Sequence, residues 1–206
     1  MNDNLLKKEI PPLAEGEMDE RTKKAIDLFK RIVIRASEKN WKYVVLSGFA
    51  VDAYLGYISR NHKDVDFIID RDNVGDAKIF LEKEGHLVCK SKAHGEDDLL
   101  RIDPIDAETT RAAHCDIHIS FFDDKTKEVV IPMHGKEIRF AGDYNDISIE
   151  KEFLGVKAKV LLPNLLIEEK KGWVEKIGLA WREGREEKNA LEVKKIQRII
   201  NFLDKK

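Results

Sequence analysis

The sequence predicts an α/β (α+β) fold, with a mixed, twisted sheet flanked by helices. Two observations support it: short apolar runs typical of strands are interleaved with segments of helical spacing, and the last 40 residues are helical in pattern. The 206 residues are 42% hydrophobic and 37% charged, the composition of a globular protein. This length suits one domain with an appendage.

Charge and cysteine usage narrow the class of protein. Lys and Arg number 37 against 39 Asp and Glu, giving a net charge of −2. This near balance argues against a general nucleic-acid-binding protein, although it leaves room for a local basic groove. The two cysteines set no disulfide framework and have no partners at zinc-ligand spacing. The apolar runs are far shorter than a membrane span, and the N-terminus lacks a signal-peptide core, so we expect no membrane partner and a cytoplasmic location.

The N-terminal half shows the clearest succession of elements. Residues 1–18, with Pro11, Pro12 and Gly16, predict an arm. Asp19 then opens a helix that should stop near Asn40. An apolar run at 41–46 predicts a buried strand, after which residues 49–55 resume helical spacing.

The remaining elements follow from the same patterns. A strand at 64–69 precedes a helix for which Asn73 is the expected N-cap. Further strands are expected at 86–90, 99–102, 114–121, 128–132, 136–140 and 156–162, with a polar loop at 91–98. Pro163 suits the start of a helix over 163–177, and a second helix is expected at 186–203. We therefore divide the chain into an arm (1–18), a core (19–162) and a C-terminal helical part (163–206).

The first candidate site is the turn between the strand at 41–46 and the following helix. Ser47 and Gly48 place free backbone N–H groups at a helix N-terminus, which attracts anions. Gly48 would let the chain approach a phosphate closely, and the Ser47 hydroxyl would add a hydrogen bond. A strand-to-helix turn favours Ser and Gly in any case, so this pattern alone also fits a purely structural turn.

Two aspartates in the next strand form the second candidate site. Asp64 and Asp66 are two residues apart, so they share one face of the strand, which they also share with Ile68. Adjacent carboxylates repel each other unless a cation lies between them, and hard oxygen ligands suit Mg²⁺. The alternative is an exposed strand face with two solvated acids.

A third acid follows in the alternating segment HCDIHIS, where Asp116 shares a face with His114 and His118. If this strand lies beside the strand at 64–69, Asp116 completes a cluster of three acids. Three carboxylates can hold two cations for in-line displacement at phosphorus, and the third can accept a hydroxyl proton. The histidines, with His62, also permit a second interpretation, a His/Asp metallohydrolase.

Cations lie close to these acids in the sequence. Arg60 and Lys63 come just before the strand at 64–69, where they would face the β- and γ-phosphates of a nucleotide. An ordinary basic loop is the alternative. Lys170 and Lys171, on the first C-terminal helix, are secondary candidates.

Taken together, SGFAVDAYLGYISRNHKDVDF resembles the signature of the polymerase-β-type nucleotidyltransferase superfamily. Within it the chain is most similar to the lincosamide and aminoglycoside 2″-nucleotidyltransferase type, where an Arg, a His and two acids follow the glycine turn, as Arg60, His62, Asp64 and Asp66 do here. Asp116 matches the third acid. Ser47 departs from the first Gly of the usual pair, and Phe49 stands where Trp is common.

The resemblance implies the nucleotidyltransferase fold and a set of roles. Asp64, Asp66 and Asp116 would be the catalytic and metal-binding residues, for Mg²⁺ or alternatively Mn²⁺. Ser47, Gly48, Arg60 and Lys63 would bind the nucleotide. The expected reaction transfers a nucleoside monophosphate from an NTP, with ATP as the expected donor, to a hydroxyl of a small acceptor such as an antibiotic. The alternative is a regulatory or toxin–antitoxin module of the same fold with a protein or RNA partner.

Overall fold

The computed structural model describes residues 7–8, 10–90, 99–104, 114–133, 136–175 and 185–203. The polar loop expected at 91–98 lies outside these residues. Within them the helices are α1 Glu20–Glu38, α2 Ser47–Leu55, α3 Arg71–Lys83, α4 Pro163–Glu175 and α5 Arg185–Leu203. The strands are β1 Tyr43–Val45, β2 Asp64–Asp70, β3 His86–Lys90, β4 Leu99–Pro104, β5 His114–Asp123, β6 Glu128–Met133, β7 Lys136–Ala141, β8 Ser148–Phe153 and β9 Val156–Leu161.

The sheet is mixed, as expected. Its strand order is β3-β4-β5-β2-β1-β9-β8, and β6 and β7 form a hairpin that extends from β5. The pairs β2/β5 and β1/β9 are parallel, whereas the other pairs are antiparallel. The parallel β2/β5 pair lies at the centre of the sheet and carries the aspartates singled out in the sequence.

Helix α1 begins and ends close to the expected positions. Its N-cap is Asp19, whose side chain accepts a hydrogen bond from the Thr22 N–H at 2.7 Å. Such a cap satisfies one of the free N–H groups of the first turn. The apolar face of α1 packs on α2 and the sheet: the Phe29 ring stacks on Phe49 of α2 and Phe67 of β2, with centroids 5.1 and 6.2 Å away.

The expected N-cap of α3 is wrong. The helix begins at Arg71, and its N-cap is Asp70, whose side chain accepts from the Asp72 N–H at 3.0 Å. Asn73 instead accepts a hydrogen bond from the Lys42 N–H at 2.8 Å and ties α3 to the start of β1. Asp70 and Asn73 are both residue types suited to an N-cap. Strand β2 ends at Asp70 and the helix begins at Arg71, so Asp70 is the residue in the capping position.

Strand β8 was not expected from the sequence. Its segment, SIEKEF, carries three consecutive charged residues and lies at the edge of the sheet, where β9 is its one partner among the described strands. An edge strand exposes much of its surface, so the apolar alternation that identifies a half-buried strand is weak there.

The N-terminal arm is docked in its second half. Ile10 is buried, and its carbonyl accepts a hydrogen bond from the Tyr57 hydroxyl. The Leu13 N–H donates to the Ile58 carbonyl at 2.8 Å. A membrane-crossing helix is absent from the residues described above, since none of their helices is both long and apolar enough.

Candidate active site

The three aspartates lie on one face of the parallel β2/β5 pair. The register places Asp66 directly beside Asp116, and Asp64 beside His114. Neighbours in register point to the same side of a sheet, and residues two apart in a strand share a face. All three aspartates are partly exposed, whereas Val65, Phe67 and Cys115 on the opposite face are buried.

The electrostatics of this face are those of crowded negative charge. Burial raises the pKa of Asp66 well above its usual value, and the nearby charges of Asp64 and Asp116 raise it further. The same three carboxylates add to the effect of burial in raising the pKa of the Cys115 thiol on the opposite face. Crowding of this kind disfavours ionisation unless positive charge is supplied.

A divalent cation would supply that charge. As the side chains stand, no group of three or more His, Cys, Asp or Glu in the described part of the chain is arranged to hold a metal ion. The donor chemistry nevertheless suits a hard cation, because Asp64, Asp66 and Asp116 offer only carboxylate oxygens. Burial and the neighbouring carboxylates hold the pKa of Asp66 above its usual value, an effect that a bound cation would oppose. The residues therefore fit a divalent cation in chemistry and charge.

The glycine turn is tied to this face. The Leu46 N–H donates to the Asp66 carbonyl at 2.9 Å, so the start of α2 lies beside the carboxylates. Ser47 has a φ of 53°, in the left-handed region that favours glycine. A serine at this position therefore has a cost in backbone conformational energy that a glycine would not have. The Ser47 hydroxyl donates to Glu169 Oε1 at 2.9 Å and accepts from Lys170 Nζ at 3.1 Å.

Gly48 leaves room for two side chains rather than open space for a ligand. A Cβ at this position would lie 2.5 Å from Arg60 Nη2 and 2.8 Å from His62 Cε1. The His62 Nε2 lies 2.7 Å from Asp52 Oδ2, and Asp52 also accepts from the N–H and hydroxyl of Ser59. The buried Asp52–His62 pair thus fixes the imidazole against Gly48, and the reason for glycine here is packing.

One carboxylate of α5, that of Glu192, forms ion pairs with two cations of the site. Glu192 is buried; its Oε1 lies 3.0 Å from Arg60 Nη2, and its Oε2 lies 3.1 Å from Lys170 Nζ. Burial alone would lower the pKa of Lys170, but the carboxylates of Glu169, Glu192 and Asp66 outweigh it and raise the pKa. Lys170 is therefore a charged lysine between the glycine turn and Asp66.

The other cations and histidines named in the sequence are placed differently. Lys63 is exposed, and its carbonyl accepts a hydrogen bond from Arg21 Nε. Among the described residues no contact joins the Lys63 side chain to the glycine turn, so its role stays a prediction. His62 is held by Asp52. His118 is buried on the aspartate face beside Ile68. The side chains of His114 and Lys171 lie outside the described residues.

Glu169 and Glu192 were not identified from the sequence, and Lys170 only as a secondary candidate. A signal for them exists in the helical spacing. Glu169 and Lys170 follow buried Leu166 by three and four residues, and Glu192 precedes buried Ile196 by four. Charged residues on the apolar face of a helix are seldom buried without a partner, so this spacing marks a site.

Comparisons with known proteins find similar sequences over part of the chain. The family model described as Aminoglycoside-2''-adenylyltransferase matches residues 28–108. Two curated relatives, the 2''-aminoglycoside nucleotidyltransferases of Escherichia coli and Klebsiella pneumoniae, are each 29% identical over 84 residues, 38% of this chain. The match spans 48%, about half, of the length of each relative.

Solved structures show the same fold. The lincomycin-bound lincosamide antibiotic adenylyltransferase LnuA matches with a TM-score of 0.60 and 17% identity, over 84% of this chain and 96% of its own. The solution structure of the antibiotic-resistance factor ANT(2'')-Ia matches with a TM-score of 0.59 and 14% identity, over 89% and 93%. The nucleotidyltransferase fold and the resemblance to the lincosamide and aminoglycoside type are thereby confirmed.

Proposed function

We propose that this chain is a nucleotidyltransferase, an enzyme that moves a nucleoside monophosphate from an NTP to a hydroxyl group. The observation that carries the proposal is the register of β2 and β5, which sets Asp66 beside Asp116 with Asp64 on the same face. The nearby helix N-terminus and the cations Arg60 and Lys170 supply what a triphosphate needs. ATP is the donor that we expect.

The transfer is an in-line displacement at the α-phosphorus. The acceptor oxygen forms a bond to this phosphorus, and the bond to the oxygen that bridges to the β-phosphate breaks, which releases pyrophosphate. Asp116 would take the proton of the acceptor hydroxyl. Arg60 and Lys170 would stabilise the negative charge that develops on the leaving group. The triphosphate competes with Glu192 for both cations.

Asp64, Asp66 and Asp116 would hold Mg²⁺, or Mn²⁺ in its place. When bound, the cation neutralises triphosphate charge and makes the acceptor hydroxyl a better nucleophile. The three carboxylates would determine where in the site the cation, and with it the positive charge, lies. Asp66 must give up its proton for this role, so its raised pKa predicts that the cation binds more weakly as the pH falls.

The acceptor that we propose is a small hydroxyl-bearing antibiotic. The relatives that support this are described as 2''-aminoglycoside nucleotidyltransferases and as a lincosamide adenylyltransferase. The cytoplasm, where nucleoside triphosphates are available, is the location that we propose for the reaction.

The test is a transfer assay with α-labelled NTPs and Mg²⁺. Aminoglycosides, lincosamides, total RNA and cell protein are offered as separate acceptors, and both pyrophosphate and the mass of each product are measured. We expect label on a small molecule together with stoichiometric pyrophosphate, and neither with Asp66→Asn. Label on RNA or protein would favour the toxin–antitoxin alternative. An Asp66→Asn variant that keeps the wild-type rate would overturn the proposed catalytic site.

A further inference from the structure

A second cavity lies at the opposite end of β1 from the aspartates. Its volume is about 380 Å³, within the range of small-ligand pockets. It is a half-open cavity bordered by the end of α1, the start of β1, the turn after β7 and strands β8 and β9. The lining residues that matter here are Trp41, Lys42, Tyr43, Tyr144, Lys157 and Lys159.

The cavity is separate from the proposed catalytic site. Tyr43 is paired with Ile69, whereas the N–H of Leu46, three residues further on, bonds to Asp66. Three residues of strand span about 10 Å. Tyr43 also lies on the sheet face that carries Phe67, opposite to the aspartates. A ligand in this cavity would therefore not contact the three aspartates.

The charge of the cavity is positive after internal pairs are counted. Lys157 Nζ lies 3.5 Å from Glu150 Oε1, and both side chains are exposed; Glu150 is also the cross-strand neighbour of Lys159. Asp143, the other acid in the lining, accepts two backbone N–H groups of its own turn. Lys159 Nζ donates to the neutral amide oxygen of Asn145 at 2.9 Å. Neither Lys159 nor Lys42 has an ion pair with any described residue, and the three lysines of the lining outnumber its two acids.

The base and walls of the cavity add a hydrogen-bond donor and rings. The Tyr43 oxygen accepts the Lys159 N–H at 3.3 Å, which leaves its hydroxyl hydrogen to donate. Burial raises the pKa of Tyr43, so the hydroxyl keeps this hydrogen. The rings of Trp41 and Tyr144 are buried in the wall. Donors and aromatic surface in one small cavity suit a flat organic anion.

We propose that this cavity binds a small organic anion, with a carboxylate or phosphate head group held by Lys42, Lys159 and the Tyr43 hydroxyl and a ring against the aromatic wall. The proposal is carried by two lysines, Lys42 and Lys159, that line one half-open cavity and have no carboxylate partner among the described residues. It assigns the chain a second ligand site, distinct from the nucleotide site and independent of the proposed transfer reaction.

The test uses the full chain labelled with ¹⁵N and follows its amide resonances during titration with benzoate, phenyl phosphate or benzyl alcohol. The first two probes share a ring and differ in head group, and the third has the ring without the charge. We expect the amides of Lys159 and Asn145 to shift with at least one anion, and that anion to bind at least tenfold more tightly than benzyl alcohol. The tighter anion identifies the head group.

Two variants locate the binding. Lys159→Met keeps the aliphatic stem and removes the charge, so we expect it to weaken the anion at least tenfold, and Lys42→Met to do so to a similar extent. Lys78→Met, on the exposed side of α3, should leave binding unchanged; the spectrum of each variant reports its folding. Absence of shifts at the cavity amides, equally tight binding of benzyl alcohol and the anions, or wild-type affinity for the anion in both cavity variants would overturn the proposal.

Discussion

Asp66 lies where burial and two neighbouring carboxylates oppose its ionisation, so its role in binding and its effect on stability should conflict. The folded chain holds the Asp66 proton to a higher pH than the unfolded chain does. The free energy of unfolding therefore falls as the pH rises from the usual Asp pKa towards the raised one. Residues that conflict with stability in this way are typical of functional sites.

Replacing Asp66 with Asn should separate the two effects. The variant removes a carboxyl group whose ionisation the folded chain opposes, and it should raise Tm in metal-free buffer at neutral pH by at least about 2 °C, the shift given by about 1 kcal/mol in a chain of this size. Its turnover should fall by at least about a hundredfold, because a group that holds the metal is lost. Calorimetry and the transfer assay measure the two. Asp124→Asn, in an exposed turn, is the control and should change neither.

A second prediction concerns the space beside Gly48, which Arg60 and His62 occupy. In Gly48→Ala the new Cβ would meet Arg60 and His62, and His62 is fixed by Asp52. Crowding of this kind costs about 1–3 kcal/mol. Because Arg60 must move, we expect the KM for the nucleotide to rise more than kcat falls.

Gly75→Ala is the matched control for this substitution. Gly75 lies within α3 with nothing within 4 Å of its Cβ position, so alanine should stabilise the chain by about 0.5–1 kcal/mol. A Gly48→Ala variant as stable and as active as Gly75→Ala would show that the space beside Arg60 is not needed.

At the scale of elements, α5 is held to the site through Glu192. Glu192→Gln leaves Arg60 and Lys170 without their shared buried carboxylate. Loss of one partner of a buried ion pair costs about 3–5 kcal/mol, and we expect this variant near the lower limit because Arg60 is partly exposed. Thermal unfolding measures the loss. The control is Glu38→Gln, whose exposed pair with Arg35 contributes at most about 1 kcal/mol; equal losses would contradict a clamping role for Glu192.

The elements also show how much the sequence could predict. Helix α1 and strands β2 and β5 were found because they are buried on one or both faces, and burial imposes an apolar period. Edge strand β8 was missed because it has little such period. The cap of α3 was wrong because two suitable residues, Asp70 and Asn73, lie three positions apart and tertiary contacts choose between them.

The site residues also fall into those that the sequence could predict and those that it could not. Asp64, Asp66 and Asp116 could be brought together from alternation alone, once the two strands were taken as neighbours. The network of Glu169, Lys170 and Glu192 could not, because it joins residues more than a hundred positions away from Ser47 and Arg60. Its members are also separated between two helices whose packing the sequence does not specify.

For the whole molecule, substrate binding should stabilise the fold. A ligand at about 100 times its Kd adds about 2.7 kcal/mol to the free energy of unfolding, which corresponds to a rise in Tm of about 5–11 °C in a chain of this size. We expect this rise with ATP and Mg²⁺ together and a much smaller one with ATP and a chelator. Differential scanning calorimetry measures it. Equal rises under both conditions would mean that the cation takes no part in binding.

The proposed reaction depends on the three aspartates, which we expect to hold a divalent cation against a nucleotide. Crystals of the wild-type chain grown with Mn²⁺ and a non-hydrolysable ATP analogue test it most directly, because anomalous scattering locates the manganese. We predict an anomalous peak bonded to carboxylate oxygens of Asp66 and at least one of Asp64 and Asp116, with the triphosphate at the Ser47–Gly48 turn. A peak at His114 and His118, or a bound nucleotide whose manganese touches none of the three aspartates, would contradict the account.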